Sequence, residues 1–188
     1  MYSQKPFLFV DVKNGREVIK GTSFANFEEV AVTDAMIDLC LRQFEESKEL
    51  NKEFPEIPEL RLNGRSIYVI TPYNGQKHAM LDKLVARGMD KQVISIDSSQ
   101  GREFDIVFVS MVRTKPGNFI KEYNRINVGI TRAKHGLVII GNAKNLAKDK
   151  RWAEMLRDKR AHLVNGVLGA EQWMNLQKVE FLKNLLAK

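Results

Sequence analysis

Four apolar runs along the chain do not alternate with polar residues: 7–12 (FLFVDV), 66–71 (SIYVIT), 106–112 (IVFVSMV) and 137–140 (LVII). A strand with one wet face alternates, so uninterrupted runs predict strands buried on both faces, as in a parallel sheet covered by helices. A shorter run at 92–96 predicts one more strand, and 162–164 an edge strand. Between the runs the apolar spacing lengthens to three or four residues. Val30, Ile37, Leu41 and Phe44 line one side of a helix predicted to end near Phe44, and Asn26 and Glu29 have the spacing of a capping box at its start. Further helices are predicted from about Gln76 to Ala86, over 121–134, and over 148–160 with Trp152, Met155 and Leu156 inward.

The connections carry turn chemistry. Asn14-Gly15, Lys20-Gly21 and the loop at 114–118 (TKPGN) are turn signals, and 45–65, with Pro55, Pro58 and Asn63-Gly64, reads as a charged surface connection. Strands alternating with helices predict an α/β fold, a three-layer α/β/α sandwich with a mainly parallel sheet. We expect one domain over 1–166. Residues 167–188 are expected to form a C-terminal amphipathic helix, with Trp173, Leu176, Val179, Leu182 and Leu186 on one side, packed on the domain or docking on a neighbour.

Charge and cysteine content narrow the picture only a little. Of the 188 residues, 30 Lys and Arg against 23 Asp and Glu leave a net charge of +7, which favours a polyanionic partner without choosing among them. Cys40 is the single cysteine, so there is no intrachain disulfide; it falls within an apolar helical pattern, which predicts a buried, inert thiol. His78, His135 and His162 lack zinc-like spacing, and no metal site is expected. Neither a signal peptide nor a membrane-spanning run is present, so the expected location is cytoplasmic or nuclear.

Candidate chemistry concentrates between Ser95 and Asn142. On the helix predicted over 121–134, Ile126, Ile130 and Ala133 share one face, while Arg125, Gly129 and Arg132 share another. Two guanidiniums flanking a glycine suit a polyphosphate; the plain alternative is two solvated arginines on an amphipathic helix. Ahead of the 106–112 strand stands the polar turn Gln100-Gly101-Arg102-Glu103. A second candidate, Pro72-Tyr73-Asn74-Gly75-Gln76-Lys77, follows the carboxyl end of the 66–71 strand, where open α/β sheets bind ligands.

The order Ser95-x-Asp97-x-x-Gln100-Gly101-Arg102-Glu103, strand, loop, Arg125-x-Asn127-Val128-Gly129-x-Thr131-Arg132-Ala133, strand, resembles motifs V and VI of superfamily 1 helicases. The wording is nearest the branch of the nonsense-mediated-decay RNA helicase and the senataxin-like proteins, and the resemblance covers about 6–166. Thr71-Pro72-Tyr73-x-Gly75-Gln76 likewise resembles motif IV of that branch. The resemblance implies a RecA-like fold of the P-loop-NTPase type, helicase domain 2. It also implies Arg132 as arginine finger, with Arg125 as second choice or structural partner. Gln100, Gly101, Glu103, Gln76 and Lys77 would stand around the nucleotide, and Thr71, Pro72 and Ser95 against single-stranded RNA or DNA. Lys77 replaces an arginine frequent in relatives. Glu103 could take the nucleotide's sugar or instead pair with Arg102 or Arg132. Asn26 and Glu29 also have counterparts in the family, and capping accounts for both without a ligand.

A helicase motor also needs GxxxxGK[ST] and an acidic pair for magnesium. No glycine in these 188 residues is followed by Lys-Ser or Lys-Thr. The pieces present are those a second lobe contributes. ATP with Mg²⁺ would then be held mainly by a first RecA-like domain of the same protein, and this chain alone would not hydrolyse ATP. The competing expectation is a catalytically idle RecA-like module that binds nucleic acid or protein. An independent small-molecule enzyme is disfavoured, since no nucleophile–base pair or dinucleotide fingerprint is present.

Overall fold

In the computed structural model, residues 7–53, 66–114, 119–158 and 161–165 are described. Their elements alternate as the apolar pattern requires. β1 (Phe7–Asp11) leads into a hairpin, β2 (Val18–Lys20) and β3 (Ser23–Ala25), and then α1 (Phe27–Glu53). β4 (Ile67–Thr71), α2 (Asn74–Leu84), β5 (Val93–Ser95), β6 (Phe104–Ser110) and α3 (Phe119–Ile130) follow. β7 (Ala133–Gly141), α4 (Ala143–Leu146), α5 (Lys150–Arg157) and β8 (Ala161–Asn165) complete them.

One sheet of six strands, in the order β5-β4-β6-β7-β1-β8, forms the middle layer, and every pairing in it is parallel. Successive side chains on a strand face opposite ways, so each strand feeds two cores. Leu8, Val10, Val69, Phe108 and Ile140 pack with Met36, Ile37, Ala79 and Met80 of α1 and α2. Phe9, Val107, Val109 and Ile139 pack with Ile126 and Ile130 of α3 and Trp152 and Met155 of α5. The uninterrupted apolar runs reflect these two helical layers: Phe9 and Phe108, next to each other in type but on opposite faces, are both at 0% exposure. Each such burial contributes about 1.5–3 kcal/mol. The three-layer sandwich expected from the pattern is present.

Several boundaries move. α1 continues to Glu53, through residues expected to be a loop, because 45–53 contain no glycine or proline and are rich in helix formers. The turn at Lys20-Gly21 carries two three-residue strands, too short to leave a pattern, with Gly21 at φ +64. α3 stops at Ile130, and β7 begins at Ala133, well ahead of the expected start at Leu137. Arg132 therefore sits in the turn between α3 and β7 and shares no helical stripe with Arg125. Gly129 is also explained differently: a Cβ there would come within 3.3 Å of Ile70 and 3.7 Å of Ile96, so its smallness lets α3 close on the sheet. The amphipathic segment 167–188 and most of the 114–118 loop lie outside the described residues. Among the described residues no helix is long and apolar enough to cross a membrane.

Candidate nucleotide and strand edges

The parallel sheet has an amino edge, where strands begin, and a carboxyl edge, where they end. At the amino edge β6 and β7 start side by side, with Phe104 in register with Ala133. The two preceding turns meet there: the Phe104 backbone N–H donates to the Arg132 carbonyl at 2.9 Å. Gly101, at φ +74, supplies the left-handed step that brings the chain into β6.

Arg132 is half-buried and fixed by its surroundings. Its Nε donates to the Val128 carbonyl at 2.8 Å, Nη1 to the Arg102 carbonyl at 3.2 Å, and Nη2 lies 3.4 Å from the Thr131 hydroxyl. Among the described residues no carboxylate lies within ion-pair distance of it, so its charge stays available to a neighbour. Glu103, on the same edge, is largely exposed; its partner is Lys134 at 4.0 Å, neither Arg102 nor Arg132. An ion pair that long and wet contributes little.

Gln100 and Arg125 lie further along the α3 face. The Arg125 guanidinium meets the Asp97 carboxylate at 2.6 Å, with both side chains substantially exposed. Arg125, Asp97, Gln100, Ile96, Asn124 and Val128 line an open cavity of about 230 Å³. Arg125 thus has the pairing role left open as its alternative.

Other expected residues gather at the carboxyl edge, where β4 and β5 end in register at Thr71 and Ser95. That edge is about 20 Å from the amino edge, at roughly 3.3 Å per residue over the length of β6. Gln76 and Lys77, in the first turn of α2 beyond β4, therefore do not join Arg132 and Glu103. Gln76 is also fully buried. Its Oε1 accepts from the Asn26 N–H at 2.7 Å, and its Nε2 donates to the Asn26 carbonyl at 3.2 Å and the Ser110 hydroxyl at 2.8 Å. Thr71, expected against a strand, is buried too, its hydroxyl 3.5 Å from the Tyr73 N–H. Pro72 and Ser95 are partly exposed. The Ser95 hydroxyl already serves its own turn, accepting from the Ser98 N–H at 3.1 Å with the Ser98 hydroxyl at 2.9 Å.

Behind this edge lies a buried polar cluster. Asn26 caps α1, its Oδ1 accepting from the Glu29 N–H at 3.2 Å, but the reciprocal half of the capping box is absent. The Glu29 carboxylate turns instead to the end of β6. It accepts from the Ser110 hydroxyl at 2.7 Å, the Val112 N–H at 2.9 and 3.1 Å, and Asn26 Nδ2 at 3.2 Å. Burial pushes its pKa up to about 7, against the pull of these donors. The donors hold Val112 at φ +68, an unfavourable conformation for a β-branched residue. Next to it Arg113 lies 4.1 Å over the Phe24 ring and pairs with Glu17 at 3.0 Å.

Sequence reasoning passed over a second cluster, at the amino edge. Tyr68 of β4 and Phe104 of β6 stack with centroids 3.8 Å apart at 22°, and the Arg102 guanidinium lies 5.0 Å from the Phe104 ring and 5.4 Å from the Tyr68 ring. Only strand register brings these three together; no spacing announces them. Among the described residues no group of three or more His, Cys, Asp and Glu side chains is placed to hold a metal.

The chain is similar to known helicases over most of its length. The family model AAA_12, described as an AAA domain, matches residues 1–144. The ATP-dependent helicase NAM7 of Saccharomyces cerevisiae is 35% identical over 88% of this chain and 17% of its own length. A regulator of nonsense transcripts 1 homolog from Drosophila melanogaster is 31% identical over 96% of this chain and 15% of its own. Helicase SEN1 of Saccharomyces cerevisiae is 32% identical over 82% and 7%. The chain thus spans less than a fifth of the length of these relatives.

Proposed function

The chain belongs to the AAA-domain family, as a superfamily 1 helicase domain of the nonsense-mediated-decay and senataxin-like branch with a RecA-like α/β fold, and from that premise we propose that it is the second motor lobe of an ATP-dependent helicase. In this reading a first RecA-like lobe, carrying the P-loop and the acidic pair, binds ATP and magnesium. The amino edge of this chain closes over the nucleotide from the other side.

The observation that carries the reading is Arg132. Among the described residues it has no carboxylate partner; it is fixed by backbone carbonyls, on the same edge as the exposed Glu103. A cation so placed meets the γ-phosphoryl as negative charge spreads over its oxygens, and it needs no reorganisation when the reaction occurs. Such a finger accelerates phosphoryl transfer by about 10³- to 10⁵-fold. Glu103 can accept from the sugar hydroxyls, with Gly101 keeping the turn low enough for the approach. Arg125, tied to Asp97, supports α3 and stays outside the chemistry.

At the carboxyl edge Pro72, Ser95 and Lys77 are the groups we assign to single-stranded RNA or DNA, Lys77 as a point charge toward phosphate. Thr71 joins them only if the Pro72-Tyr73 segment lifts from it. Closure and reopening at the nucleotide edge, carried through the rigid sheet, would alter the grip about 20 Å away and so move the strand.

The test is Arg132→Ala in the full-length protein, with the 188-residue chain assayed alongside. Hydrolysis falls about 10³-fold or more, single-strand affinity stays within about twofold because the edges are separate, and the isolated chain does not turn over ATP. Unchanged hydrolysis in the variant would leave the idle binding module as the better account.

A further inference from the structure

We infer that Arg102 is the positioning residue of the nucleotide edge, held by two stacked rings and itself holding the finger. The inference rests on the role given above to Arg132. Arg102 is fixed at three points. Its N–H donates to the Ser99 carbonyl at 3.1 Å, its guanidinium lies beside the Phe104–Tyr68 stack, 5.0 and 5.4 Å from the ring centroids, with Nη2 3.4 Å from the Tyr68 hydroxyl, and its carbonyl accepts from Arg132 Nη1 at 3.2 Å. A side chain on the sheet surface is thereby connected, through one residue's backbone, to the guanidinium that meets the phosphate.

The choice of rings over a carboxylate has an electrostatic consequence. An Asp or Glu facing Arg102 would hold it as firmly but would cancel its field at Arg132. Aromatic rings packed beside the guanidinium position it by contact and leave its net charge in place. Among the described residues no carboxylate pairs with Arg102. The edge therefore keeps two positive charges on adjoining turns, of which Arg132 touches the nucleotide and Arg102 fixes its position. Tyr68 contributes from β4, a strand with no other part in the nucleotide edge. Its rotation or loss would be felt at Arg132 without any contact between the two.

The variants are made in the full-length protein and read by steady-state hydrolysis, single-strand binding and thermal unfolding. Arg102→Ala lowers kcat about tenfold with KM for ATP within about twofold, since a misplaced catalytic group costs rate before it costs binding. Arg102→Lys, which keeps the cation and a long apolar stem beside the rings, recovers to within about threefold of wild type. Tyr68→Leu reproduces the loss, and adding Arg102→Ala to it costs little more, because both break one device. Tyr68→Phe, which keeps the ring and loses only the 3.4 Å hydroxyl contact, shows a smaller loss than Tyr68→Leu, thermal unfolding of every variant controls for folding, and Arg102 itself is exposed, so its variants melt with the parent.

Three results would overturn the assignment: a raised KM with kcat intact, which makes Arg102 a nucleotide ligand; no recovery in Arg102→Lys; or losses at Tyr68 and Arg102 that multiply. If Arg102→Ala hydrolyses normally while Arg132→Ala is dead, the finger stands and this inference fails. If Arg132→Ala hydrolyses normally, the finger itself is wrong.

Discussion

Replacing Glu29 by glutamine removes the charge of that side chain while keeping its shape, and the outcome depends on pH. The carboxyl is fully buried, and burial raises its folded-state pKa from an ordinary 4.5 to about 7. The native state then binds the proton more tightly than the unfolded chain does. The stability this contributes is complete below pH 4.5 and is lost as pH rises through 7. Over pH 5 to 8 the loss integrates to about 2–3 kcal/mol, at 1.36 kcal/mol per pKa unit. Glutamine is neutral throughout and has no such slope. Its amide carries its own penalty: the Ser110 hydroxyl, already accepting from Gln76, would face a second donor where it now donates to the carboxylate. That penalty is the same at every pH. Urea unfolding of parent and Glu29→Gln at pH 5, 6, 7 and 8 should therefore show the parent's advantage shrinking by about 2–3 kcal/mol across the range. Glu28, the nearest other carboxylate, raises the Glu29 value slightly and is common to both proteins. A difference that stays flat, or widens with pH, would mean that the three converging donors outweigh burial and that Glu29 is a carboxylate at all working pH values.

Two other substitutions and reagents probe the packing that sets the edges. A Cβ on Gly75 would sit 2.7 Å from the Phe24 carbonyl oxygen and 3.2 Å from Lys20 Cβ, so Gly75→Ala forces the β2–β3 hairpin off α2. We expect a loss of about 1–3 kcal/mol in thermal or denaturant unfolding; a gain, as helix propensity alone would give, would refute that contact. Burial pushes the Cys40 thiol up to about 12. At pH 8 a thiol-reactive disulfide reagent should label the native protein negligibly and the urea-unfolded protein at once, and fast native labelling would show that α1 opens locally.

The layered architecture was legible in the apolar pattern alone, because a strand buried on both faces admits no polar alternation, and 7–12, 66–71 and 106–112 show none. The residue types able to carry phosphate chemistry were legible too, with Gln100 to Glu103 standing immediately before an apolar strand. The sequence placed Arg132 within a predicted helix, and only the start of β7 at Ala133 moves it to that strand's amino end. It could not determine which candidates share an edge. Lys77 follows its strand and Arg132 precedes one, and only the parallel register of β4, β6 and β7 turns that difference into a separation of the order of 20 Å. Nor could it show that Gln76 and Thr71 are buried, or that Gly129 is a packing contact, because Gln76 meets Asn26, 50 positions away, and Gly129 meets Ile96 and Ile70, 33 and 59 positions away. The Arg102–Tyr68–Phe104 cluster is the plainest case, for it joins residues of two strands whose neighbourhood is decided by hydrogen-bond pairing, and no local propensity records that pairing.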